Sequence, residues 1–171
     1  MLPPGSLTFC TFPVQFIIKI GLKKNMTQVE TIIGRDFPKK VVPLINSAVS
    51  SIDVIVFDWR WYPQDPGASV QLFNQAILRA IRRGVKIRVI ANNDEIVNVL
   101  KNEGCETKRL VTKSLVHCKV MIIDNKIMIT GSHNYTESAF QMNLELSVIF
   151  DDPSAINKSL VFFNNLFNSN A

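Results

Sequence analysis

Apolar residues recur at helical spacing from Asp36 to Ser51, with Val41, Val42, Leu44, Ile45, Ala48 and Val49 on one side, and this predicts a helix. Ile52 to Phe57 is a near-continuous apolar run, the pattern of a strand buried on both faces. Trp59 to Gly67 is rich in proline and aromatics and reads as a loop. Val70, Phe73, Ile77 and Ile81 make Ala68 to Arg83 an amphipathic helix ended by Gly84. Val85 to Ala91 is a strand, and Asp94 to Asn102 a short helix capped by Asn93 or Asp94. Thr107 to Val111 has the pattern of a short strand. Two strands follow, Val116 to Ile123 and Lys126 to Gly131, with Asp124-Asn125 as the hairpin turn between them. A helix at Tyr135 to Phe140, a strand at Leu144 to Phe150 and a closing helix at Ser154 to Phe167 complete the pattern. Alternating helices and strands followed by a hairpin predict an α/β fold, a mixed sheet layered between helices.

The pattern is weakest at the N-terminus. Leu7 to Leu22 is apolar but interrupted by Pro13, Gln15 and Lys19, too short and broken for a membrane-spanning helix. No basic stretch precedes it, so it makes a poor signal peptide. Residues 1–30 are left as a segment of uncertain role: native, a signal, an anchor, or the product of a start codon set before Met26. The folded domain is assigned to residues 31–171. Stable membrane insertion is not expected.

Composition adds bounds. The 171 residues are 47% hydrophobic and 19% charged, which excludes a disordered chain. A net charge of +5 favours a polyanionic partner, with nucleic acid and anionic lipid both suitable. Cys10, Cys105 and Cys118 form no C-x-x-C pair, and their odd number favours a reducing compartment, the cytoplasm before secretion or the periplasm. With two histidines and no metal-binding spacing, no metal or other cofactor is expected.

The chemistry concentrates in one stretch, His117-x-Lys119, Asp124, Gly131-Ser132-x-Asn134. These side chains can hold and attack a phosphate diester without a metal. His117 and Lys119 share one face of a strand, and Val116, Cys118 and Val120 take the other, which makes Cys118 a core residue. The hairpin returns Ser132 and Asn134 to the strand carrying His117. Asn134 can donate its amide to phosphate, and Ser132 can do so or hold a neighbour; either can also cap the next helical turn. Gly131 allows close backbone approach, and Asp124 is read as structural.

The pattern H-x-K-x4-D-x6-G-S-x-N resembles the signature of the phospholipase D superfamily, and a chain with one copy is most similar to its small single-motif endonuclease branch. The resemblance implies a phospholipase D-like single domain and a nuclease or other phosphodiesterase. It implies that His117 is the nucleophile, forming a phosphohistidine, with Lys119 binding a non-bridging oxygen. It also implies that Glu145, in the apolar run Leu144 to Phe150, hydrogen-bonds His117 and fixes its tautomer. The leaving alkoxide needs a general acid, which the family draws from a second motif; a homodimer with both His117 side chains in one site would supply it. Strand alternation turns His133 away from this site.

Trp59, Arg60 and Trp61 follow a predicted strand at its carboxyl end and suit base stacking and phosphate contact, so they are candidate substrate-binding residues for DNA or RNA. A packed lid or dimer contact is the equal alternative. Arg79, Arg82, Arg83, Lys86 and Arg88 form a basic cluster best read as a solvated helix face. The leading function is a metal-independent endonuclease. The alternatives are a phospholipid hydrolase or transphosphatidylase and a catalytically inactive nucleic-acid-binding module.

Overall fold

The computed structural model describes residues 28–109 and 115–169. The run Leu7 to Leu22, Cys10 and the end of the strand expected to reach Val111 lie outside them. Twelve elements follow in order: β1 (Val29–Ile33), α1 (Asp36–Ser47), β2 (Ser51–Val56), α2 (Ser69–Arg82), β3 (Lys86–Ala91), α3 (Asp94–Asn102), β4 (Glu106–Arg109), β5 (Lys119–Ile123), β6 (Ile127–Gly131), α4 (Glu137–Gln141), β7 (Leu146–Phe150) and α5 (Pro153–Asn168). The strands form one seven-stranded sheet, β1-β7-β6-β5-β2-β3-β4. β2, β3 and β4 run parallel, while β5 pairs antiparallel with β2, so two blocks of opposite style meet at the β2–β5 seam. The expected mixed α/β layering is present.

One face carries the main core. Phe37, Val41 and Ile45 of α1, Phe73 and Ile77 of α2, and Ile96 and Leu100 of α3 pack on Ile52, Val54, Val56, Val89 and Met121. The other face is covered by α5, whose Phe163 meets Ile55 and Ile90 and whose Ile156 meets Ile122 and Met128. Arg88 fastens this layer. It forms a two-pronged pair with buried Asp53 at 2.6 and 2.8 Å, bonds Asn164 at 2.9 Å, and lies over the Phe163 ring at 4.7 Å. The hydrogen bond to Asp53 raises the Arg88 pKa above its ordinary value, against burial. Arg88 therefore leaves the solvated cluster. Arg79 and Arg83 are likewise tied to α1, at Asn46 and at the Ile45 and Ala48 carbonyls.

Two elements differ from the sequence pattern. β1 was not expected, because its five residues alternate too briefly to signal a strand; it is an edge strand paired with β7. Helix α1 stops at Ser47 rather than Ser51. The reason is Asp124. Its carboxylate accepts the backbone N–H groups of Val49, Ser50 and Ser51 and the Ser50 hydroxyl, pulling that segment out of helical geometry. Burial works to raise the Asp124 pKa, but these bonds outweigh it and bring it to about 2. Asp124 and Asn125 both have positive φ, 52° and 56°, as a tight two-residue hairpin turn requires.

Candidate active site

Of the motif side chains, His117, Lys119 and Asn134 lie at one end of the β2–β5 seam, and Asp124 lies at the other. The β2–β5 ladder ends with the pair Val56–Lys119, so His117 lies just before the strand rather than inside it. Its ring still meets Lys119: Nζ is 3.0 Å from His117 Nε2 and donates to the His117 carbonyl at 2.9 Å. An ammonium only donates. His117 Nε2 therefore carries the lone pair, the state a nucleophile needs, with the neutral ring's proton on Nδ1. Burial holds the Lys119 pKa below that of an ordinary lysine, while the nearby charge of Glu145 opposes this. Phe57, the residue after β2, contacts both: its ring is 4.9 Å from the imidazole and 5.3 Å from Lys119 Nζ.

The second half of the motif is held from β2 and β7. Asn134 Oδ1 accepts the Asp58 N–H at 3.2 Å, which turns its amide N–H groups outward with no partner among the described residues. The chain is stitched on both sides of this point, Tyr135 N–H to Asp58 O and Arg60 N–H to Tyr135 O, each at 2.9 Å. Gly131 pairs with Ser147 in the β6–β7 ladder, and a Cβ there would overlap Ser147 and the Leu146 carbonyl. Its small size thus serves the neighbouring strand rather than a ligand. Ser132 is exposed; its hydroxyl bonds Glu145 Oε2 and accepts the Leu146 N–H at 3.1 Å.

Two expectations are corrected, those for Glu145 and for Trp59. Glu145 does not reach His117 within the subunit, because its carboxylate is taken by Ser132 and by Asn143 Nδ2 at 3.0 Å. Glu145 also lies just before β7 and is only partly buried. Trp59 cannot stack on a base: it is fully buried, edge-on to Tyr135 and Phe73, with its indole N–H donated to Asn74 at 2.7 Å. Arg60 is exposed and paired with Asp58 at 2.9 Å, and Trp61 packs partly against the core. His133 does turn away from Ser132, but into the core. It is 1% exposed, stacked on Phe37 at 4.5 Å, with Nδ1 at 2.7 Å from Ser147 Oγ and Nε2 at 3.0 Å from the Gly34 carbonyl. Burial lowers its pKa, against the pull of the Gly34 bond. Its neutral form fits both contacts, donating from Nε2 and accepting at Nδ1.

Sequence reasoning missed Phe57, Asp58 and Asn92, which hold the site from loop positions, and the buried pair Gln71 and Asn74, which hold the aromatic loop from α2. Only Gln71 and Asn74 leave a trace in the sequence, as polar residues on an apolar helix face. Among the described residues no group of three or more His, Cys, Asp or Glu could hold a metal ion, and no helix is long and apolar enough to cross a membrane. Cys105 and Cys118 are free thiols, and burial pushes Cys105 up to about 12.

A mixed sheet that presents a histidine, lysine and asparagine at its central seam defines a phospholipase D-like domain. The comparisons agree. The family described as "Cardiolipin synthase, PLD-like domain" matches residues 41–167, and the chain belongs to it. The mitochondrial cardiolipin hydrolase of Mus musculus is 31% identical over 134 residues, 75% of this chain and 57% of that protein. The chain spans about half the length of the curated relatives it matches. Among solved structures, NucT from Helicobacter pylori superposes with a TM-score of 0.70 at 22% identity, covering 84% of this chain and 98% of that one. Nuc from Salmonella typhimurium, a phospholipase D family member, gives 0.71 at 22%, covering 84% and 95%. At this identity the likeness is one of fold.

Proposed function

We propose that this chain is a metal-independent phosphodiesterase that cleaves nucleic-acid diesters as an endonuclease, through a phosphohistidine on His117. The observation that carries the reading is the pairing of His117 Nε2 with Lys119 Nζ at 3.0 Å beside an asparagine whose amide donors are unspent. An entering phosphate draws the Lys119 ammonium onto a non-bridging oxygen. That movement frees the Nε2 lone pair for attack on phosphorus. Asn134 donates to a second oxygen, so charge gathering in the transition state meets donors already in place. The leaving alkoxide takes its proton from a second His117 in a two-fold dimer; His133, buried and committed to Gly34 and Ser147, is not available for this. Water activated by that same imidazole then breaks the phosphorus–nitrogen bond. Arg60, exposed beside Asp58, is the candidate for a further phosphate contact, and Trp61 for a base.

A lipid diester is the second reading, and a specific observation favours it. Ile33, Leu144 and Leu146 are 67%, 103% and 55% exposed and, with Ser132 and Glu145, line a cavity of about 340 Å³ at the motif's edge. Arg79, Arg82, Arg83 and Lys86 lie at the other end of the strands, about 20 Å away at 3.3 Å per residue. These four basic residues therefore do not face the site.

The test is incubation of the purified protein in excess EDTA with plasmid, single-stranded DNA, RNA and cardiolipin vesicles. Nucleic-acid cleavage that survives chelation and vanishes in His117→Ala, by a protein that is dimeric in light scattering, is expected. Activity on vesicles alone moves the assignment to lipid. Activity lost in EDTA and restored by Mg²⁺ overturns the mechanism, and an active monomer overturns the shared site.

A further inference from the structure

The nucleophile stands where the sheet has stopped. β5 begins at Lys119, so no ladder bond fixes Leu115 to Cys118. β2, its neighbour, ends at Val56. Something other than the sheet must set the backbone that carries His117. Lys119 holds the His117 carbonyl from within the motif, and Asn92, the first residue after β3, reaches the preceding carbonyl from outside it. Its Nδ2 donates to the Val116 carbonyl at 2.8 Å and lies 3.4 Å from the Phe57 carbonyl. In the sheet order β5-β2-β3, β2 separates Asn92 from His117. One side chain thus spans the end of β2 and joins three chain segments where the ladder no longer does. Both carbonyls belong to the site: Val116 precedes His117, and Phe57 carries the ring packed on the His117 imidazole and on Lys119.

Asn92 has no competing structural duty in the helix that follows. Helix α3 is capped by Asn93, whose side chain accepts the Glu95 N–H at 2.9 Å. Asn92 is half-buried and sits off the ladder. We propose that Asn92 is a positioning residue, a clamp that fixes the His117 backbone and thereby aims the imidazole at phosphorus. This rests on the phosphodiesterase reading above. It adds a residue outside the motif that acts through Val116 and Phe57 and touches no substrate.

Asn92→Asp tests it, since the carboxylate keeps the shape and loses the donors; Asn92→Ala removes the side chain. Both are compared with the unmodified protein on bis(p-nitrophenyl) phosphate in EDTA, with melting followed by circular dichroism. Misplacement of a nucleophile by about 1 Å costs on the order of a hundredfold. The expected result is a fall in kcat of about ten- to hundredfold with KM unchanged. The imidazole NMR signals of His117 should also shift in both variants while those of His133 stay in place. Unchanged kcat together with unchanged His117 signals overturns the clamp, as does a loss explained by a KM rise or by partial unfolding. If the unmodified protein fails to cleave the diester, the phosphodiesterase reading falls, and the His117 signals still decide the role of Asn92.

Discussion

Replacing Asp124 with asparagine isolates the charge at the hairpin from its geometry. Asparagine tolerates the positive φ of 52° at this position, so the turn itself is kept. The amide oxygen can accept at most a share of the bonds from Val49, Ser50 and Ser51, and the amide nitrogen faces donors with another donor. Relative to an ordinary aspartate near 3.9, a native value of about 2 corresponds to about 2.5 kcal/mol of stability at neutral pH. The carboxylate still meets solvent at one side, which lowers this to roughly 1.5–2 kcal/mol. For a domain of this size that is a melting point lower by about 3–8 °C. The pH dependence carries the sign. A carboxylate whose native pKa is depressed stabilises the fold fully above about pH 4. That contribution shrinks as pH falls toward 2 and is gone below it. Melting curves of both proteins at pH 7, 4, 3 and 2 should therefore converge as the pH falls. A gap as wide at pH 2 as at pH 7, or no gap at pH 7, would refute the charge argument. A folded Asp124→Asn protein with lost turnover would show that the hairpin aspartate takes part in the chemistry.

Trp59→Ala should cost about 3–5 kcal/mol of stability from cavity formation, whereas Trp61→Ala, which removes a side chain only partly packed on the core, should cost less and raise KM for single-stranded DNA about tenfold; equal stability losses in urea titrations would refute the division. Glu145→Gln removes the charge that holds the Lys119 pKa up, so the alkaline limb of the kcat/KM profile should move to lower pH; an unmoved limb means that Glu145 and Lys119 are not coupled. Gly131→Ala forces a side chain into Ser147 and the Leu146 carbonyl; hydrogen exchange should show faster opening of β6–β7, and an unchanged exchange pattern would contradict the crowding.

The sequence was informative where a residue's neighbours in the chain are also its neighbours in space. The hairpin at Asp124-Asn125, the opposed faces of Lys119 and Cys118, and the Asn93 cap all depend on short-range periodicity and were legible. Residues defined by distant contacts were not. Trp59 looked like a surface aromatic because the loop around it is proline-rich; Asn74, fifteen residues on, is what takes its indole into the core. Helix α1 appeared to continue through Val49 because the Asp124 carboxylate that interrupts it is 75 residues away. The expectation for Glu145 came from the family pattern, and the local bonds of Ser132 and Asn143 hold the carboxylate elsewhere. Asn92 stands between an apolar strand and a capped helix, where an asparagine attracts no notice.

Strand β1 has a consequence for how the protein is made. Its ladder pairs Val29 with Phe150 and Ile33 with Leu146, so the partner strand leaves the ribosome more than about 110 residues later. At about 5–20 residues per second, that is a wait of roughly 6–25 s. Throughout it β1 offers unpaired backbone groups flanked by Val29 and Ile33, which stay 63% and 67% exposed even in the finished fold. The last layer of the sheet to close is thus the one that brings the Gly34 carbonyl to His133. Nascent chains stalled before β7 should accordingly be captured by holdase chaperones at their N-terminal end, and release should coincide with synthesis of α5.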